Sequence, residues 1–590
     1  MTNASETATA IAEAVRAGRQ SARSVAEQTL DHADAYDAIQ PQIWIARFPR
    51  EDVLQRARGI DARLGAGESL PLAGVPFAIK DNIDIAGVPT TAACPAFAYT
   101  PGRDAAVVER LLAAGAIPIG KTNLDQFATG LVGSRSPYGA CGCVFNREYI
   151  SGGSSSGSAI AVAAGIVPFA LGTDTAGSGR VPAAFNGLFG FKPTRGSWST
   201  RGVLPACRSL DCVSVFTADA ADARLIDGVL AAFDNEDPYS RANPKPSWKI
   251  ARIGIPRAGQ VQWCGDAQSA ALFERAKGHA ATLGVTLIEV DIAPLLECAR
   301  LLYQGPWVAE RLGVIANLLR ENPGAIHPVI RGVIQAGESM SAVQVFEGFH
   351  ALKRYERDTQ ELWKAVDALL LPTTPTIYRI AEVLAEPFGL NGNLGVFTNF
   401  VNLLDMAAIN IPAGFRDNGT GFGVSIIGPA WSDGALMDMA ARFHNGAALL
   451  PAPDNKPRVS TVKLAVVGAH LSGMPLNWQL ASRGARLVRT CKTAPTYRLY
   501  AMANSAPPKP TLVHVPRDGA SIEVEVYELG LAEFGSFTAE VPAPLAIGTI
   551  TLDDRETVKG FVSEPRATDG AQDITHLGGW RAFVAGTRKP

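Results

Sequence analysis

Neither sign of charge dominates this sequence of 590 residues. Lysine and arginine total 54 against 56 aspartates and glutamates, the formal net charge is -2, and the isoelectric point is about 6.5. A surface built to bind nucleic acid or an anionic membrane would carry an excess of basic residues. Hydrophobic residues make up 47% of the chain, which is too many for intrinsic disorder. We therefore expect a globular protein without a nucleic-acid or membrane partner.

Long hydrophobic runs are also missing. The longest run of small apolar residues, Ala159 to Gly172, is interrupted at Gly165 and Pro168. It is shorter than the roughly 20 residues that cross a bilayer. The first residues, MTNASETATAIAEAVRAGRQ, lack the basic segment followed by an apolar segment that marks export. These observations predict a cytoplasmic protein.

Cysteine and histidine are scarce. The 8 cysteines are irregularly spaced, and only Cys141 and Cys143 are close together, without histidines at ligand spacing. We expect reduced thiols and no metal site. The histidines before residue 455 all lie outside glycine-rich loops: His32, His279, His327, His350 and His444. A Ser-His-Asp triad therefore has no obvious candidate.

Short apolar runs alternate with helical patterns over the first 450 residues. GVPFAIK, AIPIG and VPFALGTD are typical of buried strands, whereas DAAVVERLLAAG and SAIAVAAG are typical of helices. This alternation predicts an α/β domain over residues 1–450, with a large mixed sheet flanked by helices. Prolines and polar residues predict a linker at 451–460. Alternating segments such as ASIEVEVYEL predict a smaller, β-rich α+β domain over 461–590.

The segment GAIPIGKT, Gly115 to Thr122, matches the Walker A phosphate-loop pattern letter by letter. A phosphate loop follows a strand, precedes a helix and offers backbone N–H groups. Here a helical pattern precedes Gly115, the intervening residues are apolar, and Pro118 has no N–H. We therefore interpret the segment as a strand rather than a nucleotide site.

Three other loops combine glycine, serine and lysine: GVPFAIKDNIDIAG, GGSSSGSAIAVAAG and LGTDTAGSGRVPAAFNG. Taken singly, a serine-rich loop is usually a turn, and a lysine after an apolar strand usually extends to solvent. Together they offer a hydroxyl nucleophile and a lysine that burial can convert into a neutral base. We expect the three loops to meet at the ends of neighbouring strands.

These segments resemble the amidase signature family, whose Ser-cisSer-Lys triad matches Lys80 in FAIKDN, Ser154 in GGSSSGS and Ser178 in GTDTAGSGR. The family's spacing between the two serines is kept. The resemblance implies that Ser178 is the nucleophile, Ser154 relays protons, Lys80 is a buried neutral base, and the peptide bond before Ser154 is cis.

The same resemblance implies further features of the site. The backbone N–H groups of Thr175, Ala176, Gly177 and Ser178 would form an oxyanion hole, which stabilises the charge that develops on the attacked carbonyl oxygen. It implies no metal or organic cofactor, a small-molecule substrate, and a homodimer formed through the N-terminal helices.

Two segments resemble the allophanate hydrolase branch of that family: LLYQGPWVAERL (301–312) and DQFATGLVGSRSPYG. They imply that Tyr303 and Arg311 bind the substrate carboxylate and that the backbone near Gly130 contacts the substrate. Eight residues on one helix make about two turns, so both side chains can face one pocket. From spacing alone, a surface arginine beside Glu310 and a core tyrosine remain the commoner arrangement.

The reaction implied by this resemblance is hydrolysis of allophanate (urea-1-carboxylate) to ammonia and N-carboxycarbamate. Allophanate would come from urea degradation or from the degradation of triazines such as cyanuric acid. Two alternatives stay open. The chain could be an amidase of broader specificity for small amides, or the amidase subunit of a multi-protein assembly.

The C-terminal segments VVGAHLSGMPLN, TVKGFVSEP and GGWRAFVAG resemble the appended domain of allophanate hydrolases, which is related in fold to γ-glutamyl cyclotransferases. The resemblance implies that this domain decarboxylates the amidase product. His470 is the candidate catalytic residue, because an imidazole can deliver a proton near neutral pH. The alternative is that His470 only stabilises a turn and the domain serves assembly.

Overall fold

The computed structural model describes residues 6–446, 461–503 and 507–587. The chain divides into two compact units, residues 1–453 and 454–590. The predicted linker at 451–460 lies outside the described residues, so the proposed domain boundaries stay predictions.

The first unit is built on one sheet of 11 strands. The strands are β1 Trp44–Arg47, β2 Pro76–Lys80, β3 Ile117–Thr122, β4 Phe169–Asp174, β5 Phe189–Lys192, β6 Cys212–Thr217, β7 Arg252–Pro256, β8 Thr286–Val290, β9 Ala368–Pro372, β10 Met406–Phe415 and β11 Gly421–Pro429. Their order across the sheet is β1-β3-β2-β4-β6-β5-β10-β11-β9-β7-β8. Both parallel pairs, such as β2 with β4, and antiparallel pairs, such as β4 with β6, occur. The predicted large mixed sheet is confirmed.

Helices flank this sheet. They are α1 Ala8–Arg16, α2 Ala22–Asp37, α3 Arg50–Gly65, α4 Ala106–Ala113, α5 Ser156–Ala163, α6 Val181–Phe185, α7 Ala220–Leu230, α8 Ala267–Thr282, α9 Ala293–Gln304, α10 Trp307–Glu321, α11 Pro328–Gln335, α12 Ala342–Ala365, α13 Ile380–Ala385, α14 Gly389–Leu394, α15 Asn399–Leu403 and α16 Asp433–Gly446. Within the described ranges, no helix has both the length and the apolar composition needed to cross a membrane.

Charged side chains meet at the edge where the central strands of the sheet end. Strands β2 and β4 are parallel neighbours in which every residue is buried, as their apolar sequences predict. Each strand ends on a charged residue, Lys80 in β2 and Asp174 in β4. Because parallel strands end at the same edge of a sheet, these residues lie at one edge.

The helix behind that edge, α5, contains only small and aliphatic residues. At position 157 only glycine fits, because a Cβ atom there would lie 2.3 Å from the carbonyl oxygen of Ile43. The close approach brings the first turn of α5 against the segments that precede β1 and follow β3. The segment that matches the Walker pattern forms β3, and its Lys121 donates to the Ile83 carbonyl at 2.8 Å and pairs with Asp81 at 3.2 Å. Lys121 is therefore structural.

The second unit is smaller and β-rich, as predicted. It contains β12 Thr461–Val466, α17 Trp478–Ala481, β13 Arg486–Lys492, β14 Tyr497–Ala501, β15 Pro510–His514, β16 Glu523–Gly530, α18 Leu531–Ala539, β17 Leu545–Thr551, β18 Thr557–Ser563, β19 Gln572–Asp573 and α19 Trp580–Thr587. A five-stranded sheet has the order β13-β16-β12-β18-β17, and a three-stranded sheet the order β15-β14-β19. Strands β17 and β18 form an antiparallel hairpin.

Candidate active site

Lys80 lies at the carboxyl end of β2 and is fully buried. Its Nζ donates to Ser154 Oγ at 2.8 Å and to Thr173 Oγ1 at 2.7 Å. Burial lowers the pKa of Lys80 to about 7, because removing the ammonium from water disfavours the charged form more than the nearby carboxylates of Asp125, Asp211 and Asp174 favour it. A substantial fraction of Lys80 is therefore neutral at neutral pH.

The loop before α5 presents Ser154 to this lysine. The Gly153–Ser154 peptide bond is cis. The Ser154 carbonyl accepts from the Asp125 N–H at 3.0 Å. The Asp125 carboxylate approaches the loop so closely that a Cβ atom at Gly153 would lie 2.2 Å from Oδ2. The side chain and backbone of Asp125 thus fix the position of the loop, and only glycine fits at 153.

Ser178 lies in a tight turn after β4, and 2% of its surface is exposed. Asp174 accepts from the N–H groups of Gly177 at 2.8 Å and Gly179 at 3.0 Å, and its carboxylate pairs with Arg180 through two bonds of 2.9 and 3.0 Å. Burial alone would raise the pKa of Asp174, but the charge and hydrogen bonds of Arg180, the charge of Lys192 and the Gly177 N–H together hold that pKa below its usual range. Among the described residues, the Ser178 hydroxyl makes no hydrogen bond. The structure thus joins Lys80 to Ser154 directly and fixes the turn that carries Ser178.

The predicted oxyanion hole stays a prediction, but one hydrogen bond bears on it. The Gly177 N–H donates to Asp174, so it is not available to an oxyanion in this conformation. The neighbouring Thr175 hydroxyl donates to the Asp211 carboxylate, and Thr398 donates to the Ala176 carbonyl at 2.6 Å. The sequence did not indicate that the Gly177 N–H donates to Asp174, because this hydrogen bond depends on the orientation of the Asp174 side chain.

Asp211 is a buried carboxylate that the sequence analysis missed. It accepts from the Thr175 hydroxyl and from the Ala206 N–H at 2.7 Å. Burial raises the pKa of Asp211 to about 6, even though hydrogen bonds and the charge of Arg311 favour its ionised form. Asp211 also influences the pKa of Lys80. Asp211 is therefore bonded to the turn after β4 and lies close enough to Lys80 and Arg311 for their charges to interact.

The prediction that Tyr303 and Arg311 lie on one helix is wrong. Helix α9 ends at Gln304 and α10 begins at Trp307, because Gly305 and Pro306 interrupt the helix between them. The two side chains nevertheless meet, with the guanidinium carbon of Arg311 5.3 Å from the centroid of the Tyr303 ring. This distance is that of a cation–π contact.

Arg311 is not the surface residue that spacing alone would favour, since it is 2% exposed. Its Nη1 donates to Thr129 Oγ1 at 2.9 Å, whereas Nε and Nη2 have no hydrogen-bond partner within the described chain. These two nitrogens form one edge of the planar guanidinium, with N–H groups that point in the same direction. The predicted contact residue Gly130 follows Thr129, and a Cβ atom there would lie 2.5 Å from Asp125 Oδ2.

His470 lies in the second unit, in the loop after β12. Its ring lies 5.2 Å from the rings of both Phe537 and Phe561, and its Nε2 is 2.8 Å from Gln479 Oε1. Burial lowers the pKa of His470, so the neutral imidazole predominates at neutral pH. A cavity of about 150 Å³ is lined by these residues together with Lys509 and others.

Several residues of the candidate site escaped the sequence analysis, namely Thr129, Thr173, Asp174, Arg180 and Asp211. Asp174 and Arg180 lie in GTDTAGSGR, so two charged residues within a glycine-rich motif were the available signal. No local sequence pattern marks Thr129 or Asp211 as a residue of the site. Among the described residues, no cluster of three or more histidine, cysteine, aspartate or glutamate side chains could hold a metal ion.

Comparison with known proteins assigns the class. The amidase family model matches residues 27–437, and the model of the allophanate hydrolase C-terminal domain matches residues 462–585. The chain belongs to the amidase family. The predicted resemblance to this family, with an appended allophanate hydrolase C-terminal domain, is confirmed.

Individual relatives show which proteins the chain resembles. The chain is 44% identical over 577 residues to the urea amidolyase of Saccharomyces cerevisiae, covering 92% of this chain but only 31% of the relative's length. The solved structure of selenomethionine-substituted Kluyveromyces lactis allophanate hydrolase is similar with a TM-score of 0.68 and 42% identity, covering 95% of this chain and 97% of that chain. A glutamyl-tRNA(Gln) amidotransferase subunit of Symbiobacterium thermophilum is 35% identical over 467 residues, covering 72% of this chain and 94% of the relative.

Proposed function

We propose that this chain hydrolyses allophanate to ammonia and N-carboxycarbamate. The observation that carries the proposal is the buried, unpartnered edge of Arg311 beside Tyr303. A buried N–H without a partner costs free energy, and a carboxylate is the ligand that matches two parallel N–H donors. Allophanate joins such a carboxylate to a terminal amide. The likeness to an allophanate hydrolase over 95% of the chain supports the same substrate.

In the proposed mechanism, Ser178 Oγ attacks the carbon of the terminal amide. Neutral Lys80 takes a proton from Ser154, which takes the proton of Ser178. The N–H groups of Thr175, Ala176 and Ser178 stabilise the oxyanion. The carbon–nitrogen bond then breaks, and ammonia leaves with a proton returned through Ser154. Water releases N-carboxycarbamate from Ser178 by the same route.

We propose in addition that the cavity around His470 decarboxylates that product. One carbon–nitrogen bond of N-carboxycarbamate would break and carbon dioxide would leave. The nitrogen would keep the electron pair and take up one proton. With Nε2–H donating to Gln479 Oε1, the other ring nitrogen carries the lone pair and can pass protons. Lys509, which also lines the cavity, would attract the carboxylates.

One experiment separates these steps. Ammonia and carbon dioxide are followed from allophanate with the wild type, Ser178→Ala and His470→Gln. Ser178→Ala should abolish ammonia release, whereas His470→Gln should slow carbon dioxide release and leave ammonia release intact. Ser214→Ala is the matched control, because Ser214 is buried next to Gly179 and its hydroxyl has no partner among the described residues. No ammonia from allophanate with the wild type would overturn the proposal.

Two alternatives are tested with the same material. Turnover of uncharged amides at rates similar to allophanate would favour a broader amidase. Inactivity of the purified chain would favour the amidase subunit of an assembly, a role that the name of the glutamyl-tRNA(Gln) amidotransferase relative suggests. The appended domain, matched at residues 462–585, supports an enzyme that acts without partners.

The remaining proposals concern the cellular context. We propose a cytoplasmic homodimer, so light scattering should give twice the chain mass of 62.1 kDa. Its 8 unpaired thiols are the usual state in a reducing compartment. Allophanate would come from urea, as the names of the amidolyase relatives suggest, or from the degradation of cyanuric acid.

A further inference from the structure

The turn from Phe127 to Gly130, between β3 and α5, has an unusual backbone. Phe127 and Ala128 have φ values of +52° and +51°, and both are buried. Residues with a Cβ atom rarely adopt this left-handed region, because the side chain crowds the following carbonyl. Such conformations persist where the surroundings enforce them, and they concentrate at functional sites.

Helix α10 provides those surroundings. Phe127 belongs to the same buried apolar cluster as Ile315 and Leu319 of α10. Arg311, Ile315 and Leu319 follow one another at intervals of four residues, so they share one face of the helix. The apolar packing of Ile315 and Leu319 near Phe127 therefore places Arg311 one turn further along, beside Thr129.

Thr129 contacts two guanidinium groups at once. Its hydroxyl accepts from Arg311 Nη1 at 2.9 Å and donates to the Phe127 carbonyl at 3.1 Å. Its carbonyl accepts from Nη1 of the buried Arg135 at 3.2 Å. Because the hydroxyl proton points to Phe127, the oxygen lone pairs are left for Arg311. The hydroxyl is thus oriented before any ligand binds.

We propose that Thr129 is the positioning residue for carboxylate recognition by Arg311. By binding Nη1, its hydroxyl sets the rotation of the guanidinium and leaves the edge formed by Nε and Nη2 for the substrate. Tyr303 covers the guanidinium, and Thr129 restrains its rotation. This inference rests on the proposed carboxylate-bearing substrate and names a residue that selects it.

The ligand for the test is malonamate, in which a CH₂ group replaces the NH of allophanate and the carboxylate and terminal amide are kept. Binding is measured by calorimetry in a Ser178→Ala background, which prevents turnover. Thr129→Val, which keeps the shape but loses the hydroxyl, should weaken binding about tenfold, as expected for a lost hydrogen bond to a charged group. Thr129→Ser should bind within about twofold of the parent, because the hydroxyl is restored.

Two controls distinguish this role from a general loss of packing. Thr359→Val on α12 removes another buried hydroxyl, which donates to the Tyr355 carbonyl at 2.7 Å, and should leave binding unchanged. In the Arg311→Met background, Thr129→Val should weaken binding by less than about twofold, since coupled residues are not additive. With Ser178 intact, Thr129→Val should raise KM for allophanate about tenfold and change kcat by less than about twofold.

The outcomes are separable. Unchanged malonamate binding in Thr129→Val, or an equal loss with and without Arg311, would overturn the inference. If the wild type releases no ammonia from allophanate but Thr129→Val still weakens malonamate binding, the proposed function fails and the inference stands. If the parent does not bind malonamate, the KM for allophanate decides, and a KM of Thr129→Val within about twofold of the wild type would overturn the inference. If Thr129→Val does not fold, Thr129→Cys carries the same test, because a thiol is a weak acceptor of similar size.

Discussion

The two units of this protein differ in how completely they bury their charged groups. The first unit buries whole charged groups at one edge of its central sheet, including Lys80, Asp174 and Arg180, which are all 0% exposed. In the second unit, Glu525 is buried, but its partner Arg581 keeps a side chain that is 36% exposed. A larger unit removes a larger fraction of its surface from water, so it can shield an ionic site on every side. The smaller unit keeps most of its charges near water.

This difference bears on chemistry. Burial lowers the pKa of Lys80 to about 7 and makes it a base, and the fixed pair of Asp174 and Arg180 holds the turn of Ser178. In the second unit, aromatic rings pack against His470, and burial contributes more than any nearby charge to the lowering of its pKa. Burial is thus the main cause of the lowered pKa in both sites, but the first site also contains a buried ion pair, whereas the second holds its histidine among aromatic rings.

The largest predicted effect comes from breaking the buried ion pair. Arg180→Met leaves the Asp174 carboxylate buried without its partner, which should cost about 3–5 kcal/mol of unfolding free energy and abolish ammonia release. The measurement is calorimetric unfolding together with the ammonia assay. Arg486→Met in the second unit is the matched control, because its pair with Glu528 leaves the arginine side chain 70% exposed. That control should show no measurable change, since exposed pairs contribute little. Equal losses in the two variants would refute the comparison.

The second prediction concerns pH. Because Lys80 acts as base only when neutral and its pKa is about 7, kcat/KM for ammonia release should rise about tenfold per pH unit below 7 and level off above it. A lysine at its ordinary pKa would place this limb far higher, so a midpoint above about pH 9 would contradict the role of Lys80. Thermal unfolding over the same range shows whether the limb reflects the stability of the fold.

The smallest predicted effect lies in the second unit. His470→Leu removes the contacts between the imidazole and the rings of Phe537 and Phe561, which should lower its unfolding free energy by about 1 kcal/mol. The expected shift is a modest decrease in the melting temperature of the second unit, with ammonia release retained. A loss as large as that of Arg180→Met would mean that His470 belongs to a buried polar network after all.

Much of the fold could be predicted from the sequence. The apolar runs that end on Lys80 and Asp174 predicted neighbouring strands, and the mixed sheet and β-rich second unit followed from the change in periodicity. The break between α9 and α10 was missed, although Gly305–Pro306 is a strong local signal for it. The spacing of Tyr303 and Arg311, taken alone, is equally compatible with one continuous helix.

The sequence by itself determined the strands, the glycine-rich loops and the residue types that meet at the edge of the sheet, because these depend on local periodicity and turn chemistry. Only the tertiary structure decided how they are used. It directed the Gly177 N–H to Asp174, raised the pKa of Asp211, and placed Thr129 against Arg311 across 182 positions of the chain. Burial and hydrogen bonding between distant segments set pKa values and orientations, and no local pattern encodes them.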